Sequence, residues 1–394
     1  MENLVILTAD EMALRLGRVQ QALAPVAGAM LVADYANLYY LTGRVYAGWA
    51  YIPAQGEPVW IARRPTGFEG PGVVYVRKPE EILQALAAIG VEMPATVGLE
   101  LDLMPYATTR RIANALSLEG EPVDVTNVMR QARAVKTPCE IELLRQSGTR
   151  HTEVYSRIPS LYSVGMSDYE LDVAIEHTSR LAGNLGIFRI SGVSMEFFMS
   201  SVLTGDNADA PTPYDFALGG AGMNPSLPVG ASGEIIREGF PVMVDANGNF
   251  TGYMTDMTRV YALGPVPAEA ERAHACSIEI HRMFQREALP GVEAKVLYEK
   301  AREIAVSRGL GDYFMGHRHH AGFVGHGVGI EINEWPVIAP KSRHILEQGN
   351  VVALEPKFVL PRIGAVGVEN TYVIGAAGAE LITTAPEEIQ QFIV

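Results

Sequence analysis

Cysteine is scarce in this chain: Cys139 and Cys276 are the only two in 394 residues. Two thiols so far apart cannot build the disulfide framework of a small secreted domain, so a reducing setting, the cytoplasm, is expected. Basic charge is also short. Lysine and arginine number 31 against 45 aspartates and glutamates, for a net charge of −14. An acidic chain offers no surface for releasing counterions from a phosphate backbone, which excludes nucleic acid as the expected partner. Long hydrophobic runs are missing as well. The most apolar stretch, residues 22–33, is broken by Pro25 and Gly28, and Met1 to Leu7 carry no basic leader. No membrane partner is expected. Apolar residues make up 48 % of the chain, enough for large cores, and the length suits two domains.

Residues 1–132 alternate strand-like and helical patterns and predict a small α/β domain. Thr8-x-x-Glu11 is a capping box that opens a helix ending near Ala24, and residues 29–33 form a buried strand. Residues 51–63 predict a hairpin, 79–89 a helix with proline at its start, and 97–100 followed by 107–116 a strand and a helix. Arg133-Ala-Val-Lys-Thr-Pro138 is the expected boundary, with Pro138 in the first turn of the next helix. Residues 139–394 then predict an α+β domain. Ser167-x-x-Glu170 caps one helix, 268–288 and 293–308 are two long ones, and 241–244, 351–355 and 366–374 are strands.

Four acids and one histidine stand inside or at the ends of apolar strand-like segments, where an unpaired charge is costly: Asp245, Asp256, His326, Glu355 and Glu369. Asp245 and Asp256 flank Asn247-Gly248, a hairpin turn signal, and a hairpin there puts both carboxylates on one face. Such a pair shares either a proton or a cation. Two divalent ions about 3.5 to 4 Å apart would engage the whole set. Oxygen ligands with a single imidazole suit Mn, Co, Fe or Zn.

Several ordered blocks resemble the pita-bread metallohydrolases, the superfamily of creatinase, prolidase, aminopeptidase P and methionine aminopeptidase, also called peptidase family M24. They are the segments 244–259, 325–336, Leu354-Glu-Pro-Lys357 and Gly367-Val-Glu-Asn-Thr371, with Asn37-Leu-Tyr-Tyr-Leu-Thr-Gly43 and the 133–140 link matching the amino-terminal part. The resemblance implies a creatinase-like domain over 1–132 and a pita-bread catalytic domain over 139–394. It also implies a homodimer, and a small peptide or amide as substrate. Asp245 would be a terminal ligand of one metal, Asp256 and Glu369 bridges, and His326 and Glu355 ligands of the second. Glu355 and His326 would be catalytic, with Glu355 moving a proton to the leaving amine. His320, Asn333 and Tyr253 would contact substrate, and Arg259 would support the aspartates.

The chain departs from the prolidase pattern at several places. Gly322 stands where a histidine is usual four residues before His326, Asn333-Glu334 where His-Glu is usual, and Gly367 where an arginine is usual. A further histidine upstream of Asp245 has no counterpart. Three readings follow: a prolidase-like peptidase, a creatinase-like amidinohydrolase or lyase on the same fold, and a non-catalytic binding module. His317, His319 and His320 read as a polar loop.

Overall fold

The computed structural model describes residues 7–192, 198–214 and 216–394. Residues 1–6, most of the segment expected to carry no basic leader, lie outside them. The chain divides into two compact units, Met1–Arg133 and Ala134–Val394.

In the first unit, α1 (Ala9–Leu23) starts where Thr8 Oγ1 accepts the Glu11 amide at 3.2 Å. Glu11 does not complete the box, because its carboxylate takes Arg15 Nε at 2.7 Å, one turn on. Then follow β1 (Ala29–Val32), α2 (Tyr35–Thr42), β2 (Ala47–Pro53), β3 (Val59–Arg64), β4 (Val73–Tyr75), α3 (Ile82–Ala88), β5 (Val97–Leu99), α4 (Tyr106–Ala115), β6 (Val123–Asp124) and α5 (Thr126–Ala134). The strands form one mixed sheet in the order β4-β3-β2-β1-β5-β6, with the 47–64 hairpin as its second and third strands. The helix expected over 79–89 begins as a 3-10 turn, Pro79–Glu81, before α3.

The second unit opens with α6 (Pro138–Tyr155) and α7 (Asp168–Leu181), each with a reciprocal capping box. Thr137 Oγ1 accepts the Glu140 amide at 3.2 Å, and Glu140 accepts the Thr137 amide at 2.9 Å. These bonds satisfy amides that the first helical turn would leave unpaired. The strands are β7 (Ser200–Thr204), β8 (Pro241–Asn249) and β9 (Met254–Ala262), then, after the helices α8 (Ala268–Glu287) and α9 (Ala294–Ser307), β10 (Gly325–Gly327), β11 (Glu334–Ile338), β12 (Val351–Leu354), β13 (Lys357–Leu360), β14 (Gly364–Gly367), β15 (Asn370–Gly375), β16 (Gly378–Leu381) and β17 (Gln390–Gln391). They make a sheet β17-β9-β8-β7, a second sheet β11-β10-β12-β15-β16, and the pair β13-β14.

Two strand expectations need correction. Asn247-Gly248 is not a turn; both residues lie inside β8, opposite Asp256 and Thr255, and the chain reverses at 250–253. Glycine is required there because a Cβ on Gly248 would lie 2.6 Å from the His151 ring. The segment 366–374 is not one strand but β14 and β15, broken at Val368-Glu369.

Alternation along β8 and β9 assigns their faces. Met243 and Val260 join the core formed with Ala273, Ile280 and Phe284 of α8. Val242, Val244, Met257 and Tyr261 join the core formed with Tyr155 of α6 and Leu171 of α7. Asp245 and Asp256 share the parity of Met243 and Val260, so both emerge on the α8 side.

Candidate metal centre

The hairpin register places Asp245 opposite Thr258 and Asp256 opposite Asn247. The two carboxylates are therefore diagonal neighbours on one face. His326 comes from the second sheet, on β10 between β11 and β12. Its Nε2 lies 3.4 Å from Glu355 Oε1 and 3.9 Å from Asp256 Oδ2. Glu355 follows β12, and its amide is held by the Val324 carbonyl at 2.9 Å.

Glu369 sits in the break between β14 and β15, where a single backbone bridge, its amide donating to the Thr258 carbonyl at 3.2 Å, ties it to β9. Helix α8 supplies further fixing groups. Ser277 Oγ accepts the Val368 amide at 2.9 Å, and His281 Nε2 donates to the Val368 carbonyl at 2.9 Å. Burial pushes His281 down to about 4, so it stays neutral and its Nδ1 accepts from the Tyr372 hydroxyl. Thr258 Oγ1 then donates to the Glu369 carboxylate at 2.7 Å. Thr371 Oγ1 both accepts from the Asp256 amide and donates to the Asp256 carbonyl, at 2.9 Å each, tying β9 to β15.

Two triads of ligand atoms result, Asp256-His326-Glu369 and Asp245-Glu355-Glu369, each with all atoms within 4.8 Å of one another. All five residues singled out from the sequence thus meet in one cage. Asp245, with 26 % of its side chain exposed, is its most open member.

A sixth residue is in the same cage. Lys357, at the start of β13, is fully buried, and its Nζ donates to Asp245 Oδ2 at 2.7 Å, Glu355 Oε2 at 2.7 Å and Glu369 Oε2 at 3.3 Å. Sequence reasoning passed over it, although a lysine amid Phe358, Val359 and Leu360 is the same signal that picked out the acids.

Electrostatics follow from this packing. Burial and the neighbouring carboxylates of Glu369, Asp245 and Glu355 push Asp256 well above the usual carboxylate range. Burial also raises Glu369, with Lys357 opposing. Glu355 moves the other way: burial would raise it, but Lys357 and His326 hold it below the usual range. Burial works against a charged His326, yet its contact with Glu355 raises it. The cage is short of positive charge, most of all around Asp256 and Glu369. A divalent cation fits the Asp256-His326-Glu369 triad on this ground and by donor chemistry. The other triad already surrounds an ammonium.

The expected substrate contacts lie differently. Tyr253 is buried in the turn after β8, and its hydroxyl donates to Glu140 at 3.0 Å, making it a packing residue that braces α6. Asn333 spends both ends of its amide on the Ser191 backbone, at 2.7 and 2.9 Å. Arg259 touches neither aspartate carboxylate; it donates to the main-chain carbonyls of Thr258, Glu369 and Ala385 and to Asn370. His320 Nδ1 bonds the Phe314 carbonyl at 2.9 Å, and His320 lines a cavity of about 130 Å³ with Tyr214, Phe216 and His319. Glu334, beside Asn333, forms a buried ion pair with Lys136 at 2.9 Å.

Residues 142–376 match the model of metallopeptidase family M24, and residues 15–135 match that of the creatinase/prolidase N-terminal domain. The chain is 25 % identical to the Xaa-Pro dipeptidase of Pyrococcus horikoshii over 92 % of this chain and 94 % of the relative. It is 27 % identical to the probable dipeptidase PepE of Mycobacterium tuberculosis over 73 % and 68 %. The solved Xaa-Pro dipeptidase of Bacillus anthracis superposes with a TM-score of 0.78 at 22 % identity, covering 96 % of this chain and 99 % of that one, a likeness of fold. With ordered acids and a histidine meeting in one cage and a family match over most of the second unit, the chain belongs to metallopeptidase family M24, with a creatinase/prolidase amino-terminal domain.

Proposed function

We propose that the cage is the hydrolytic centre of a metal-dependent peptidase that cuts short peptides, with Xaa-Pro bonds as the first substrates to test. The observation that carries this reading is the convergence of Asp256, His326 and Glu369 ligand atoms within 4.8 Å on a site rich in uncompensated carboxylate. Those three residues would hold a divalent ion of the Mn, Co, Fe or Zn class. When bound, the ion supplies Lewis-acid activation of water and of the scissile carbonyl.

The chain's own groups do the remaining work. Glu355, kept ionised by Lys357 and His326, is positioned to accept a proton from the attacking water and return it to the leaving amine. Asp245, the most open acid, would be the one to meet the free amino end of an entering substrate.

A second reading is a non-peptidase hydrolase or lyase on this fold. It is favoured by Gly322, which offers no imidazole, and by Asn333, whose amide is committed to Ser191. Both leave the pocket short of the groups that would steady a tetrahedral oxyanion. A panel of Xaa-Pro dipeptides, Xaa-Pro tripeptides and amidino or acetyl amides with added manganese decides between them. Peptide turnover that vanishes in Asp256→Asn and His326→Ala is expected. Turnover confined to non-peptides rejects the peptidase reading.

A homodimer is the assembly suggested by the family resemblance, and exposed Val173, Leu181, Leu185 and Ile187 around α7 offer it an apolar face. Light scattering on the full chain tests it. Cytoplasmic residence is supported by the two free cysteines. No helix among the described residues is long and apolar enough to cross a membrane.

A further inference from the structure

Lys357 and Gly367 face each other directly across β13 and β14. Any side chain at 367 would collide with the lysine: a Cβ there would lie 2.9 Å from Lys357 Cα, 3.1 Å from Lys357 Cγ and 2.7 Å from the Pro356 carbonyl. The glycine thus clears the path along which the lysine stem enters the cage. An ammonium has three N–H donors and no acceptor, and here the three donors meet three carboxylates, Asp245, Glu355 and Glu369. Fully buried, the side chain has no solvent into which to turn its charge.

Carboxylate oxygens bind divalent transition ions at about 2.0 to 2.2 Å. The oxygens of the Asp245-Glu355-Glu369 triad already converge on Nζ, so an ion drawn to the same oxygens would need the volume that Nζ fills. The other triad is free of that obstacle. Lys357 reaches Glu369 through Oε2, and no ammonium lies against Asp256 or His326 among the contacts of the cage.

We propose that the Lys357 ammonium permanently occupies one of the two cation positions of the cage, so that this chain works with a single divalent ion held by Asp256, His326 and Glu369. The proposal rests on the reading of the cage as a metal-dependent hydrolytic centre. Its consequence for chemistry is a site in which one dication is replaced by a monocation that cannot exchange. Asp245 and Glu355 become partners of the lysine, and the substrate's carbonyl and the water are left to one ion.

The test counts ions on the full-length protein. The chelator-treated chain is equilibrated with manganese, dialysed, and analysed for metal per chain, with electron paramagnetic resonance on the same samples. One Mn per chain and the six-line spectrum of an isolated ion are expected for the wild type. Asp256→Asn should bring the count to zero, Asp245→Asn should keep it at one, and Lys357→Ala should raise it to two. Two ions per wild-type chain, or an exchange-coupled dinuclear spectrum, overturns the proposal while leaving the hydrolase reading intact. Zero ions in the wild type overturns both. The wild-type spectrum decides the question even where Lys357→Ala fails to fold.

Discussion

Arg259 donates through Nη1 to the main-chain carbonyl of Glu369 at 2.8 Å, while the carboxylate of Glu369 points into the cage of acids around Lys357. A buried cation from β9 therefore fixes where a β15-side acid begins, without competing for its charge. The same guanidinium bonds Thr258, Ala385 and Asn370. Replacing it by Met leaves several buried acceptors unpaired, so Arg259→Met should destabilise the fold by about 3 to 5 kcal/mol. Urea unfolding measures this. A loss confined to kcat with unchanged stability would place Arg259 in the chemistry instead.

Tyr253 provides a sharper contrast between bracing and catalysis. Its hydroxyl meets Glu140 at the start of α6. Tyr253→Phe should cost about 1 kcal/mol of stability and leave kcat/KM within a factor of two. A tenfold fall in kcat/KM would restore it as a substrate contact.

Removing the metal should soften the second unit. An ion that binds only the folded chain stabilises it by about 2.7 kcal/mol when present at a hundred times its Kd. Dialysis against EDTA is expected to lower Tm, and added manganese to restore it in the wild type but not in His326→Ala. Differential scanning calorimetry reads both.

Asp172 on α7 predicts a dependence of stability on pH. Burial pushes its carboxyl up to about 8, although Ser200 Oγ donates to it. An unfolded aspartate titrates near 3.9. Between those values the folded chain holds a proton that the unfolded chain has lost, so stability should fall as pH rises from about 4 to about 8 and level off beyond. Asp172→Asn should flatten that slope in urea titrations at successive pH values. An unchanged slope assigns the dependence elsewhere.

Much of this architecture was legible in the residues. The capping box expected at Ser167-Glu170 formed, because it depends on contacts three residues apart, whereas the one expected at Thr8-Glu11 closed only through Thr8 and the full box at Thr137-Glu140 was not singled out from the sequence. The five cage residues could be picked out because charge inside an apolar strand demands a partner. What could not be read is where tertiary packing overrides local preference. Asn247-Gly248 has the chemistry of a turn, yet close approach of His151 draws it into β8. The break at Val368-Glu369 is invisible in an apolar run, since it is made by Ser277 and His281 ninety residues earlier. Asn333 and Tyr253, expected as substrate contacts from the family resemblance, bond Ser191 and Glu140 instead, partners too remote in sequence to be read from it.

The cage draws its side chains from β8, β9 and β10, from the residue after β12, and from the β14-β15 break, so its members span positions 245 to 369. The β8-β9 hairpin by itself gathers only Asp245 and Asp256, and the rest of the site is missing until both sheets have met. Cation capture must therefore be a late event, sealing a fold that hydrophobic burial has already assembled, rather than the seed around which it forms.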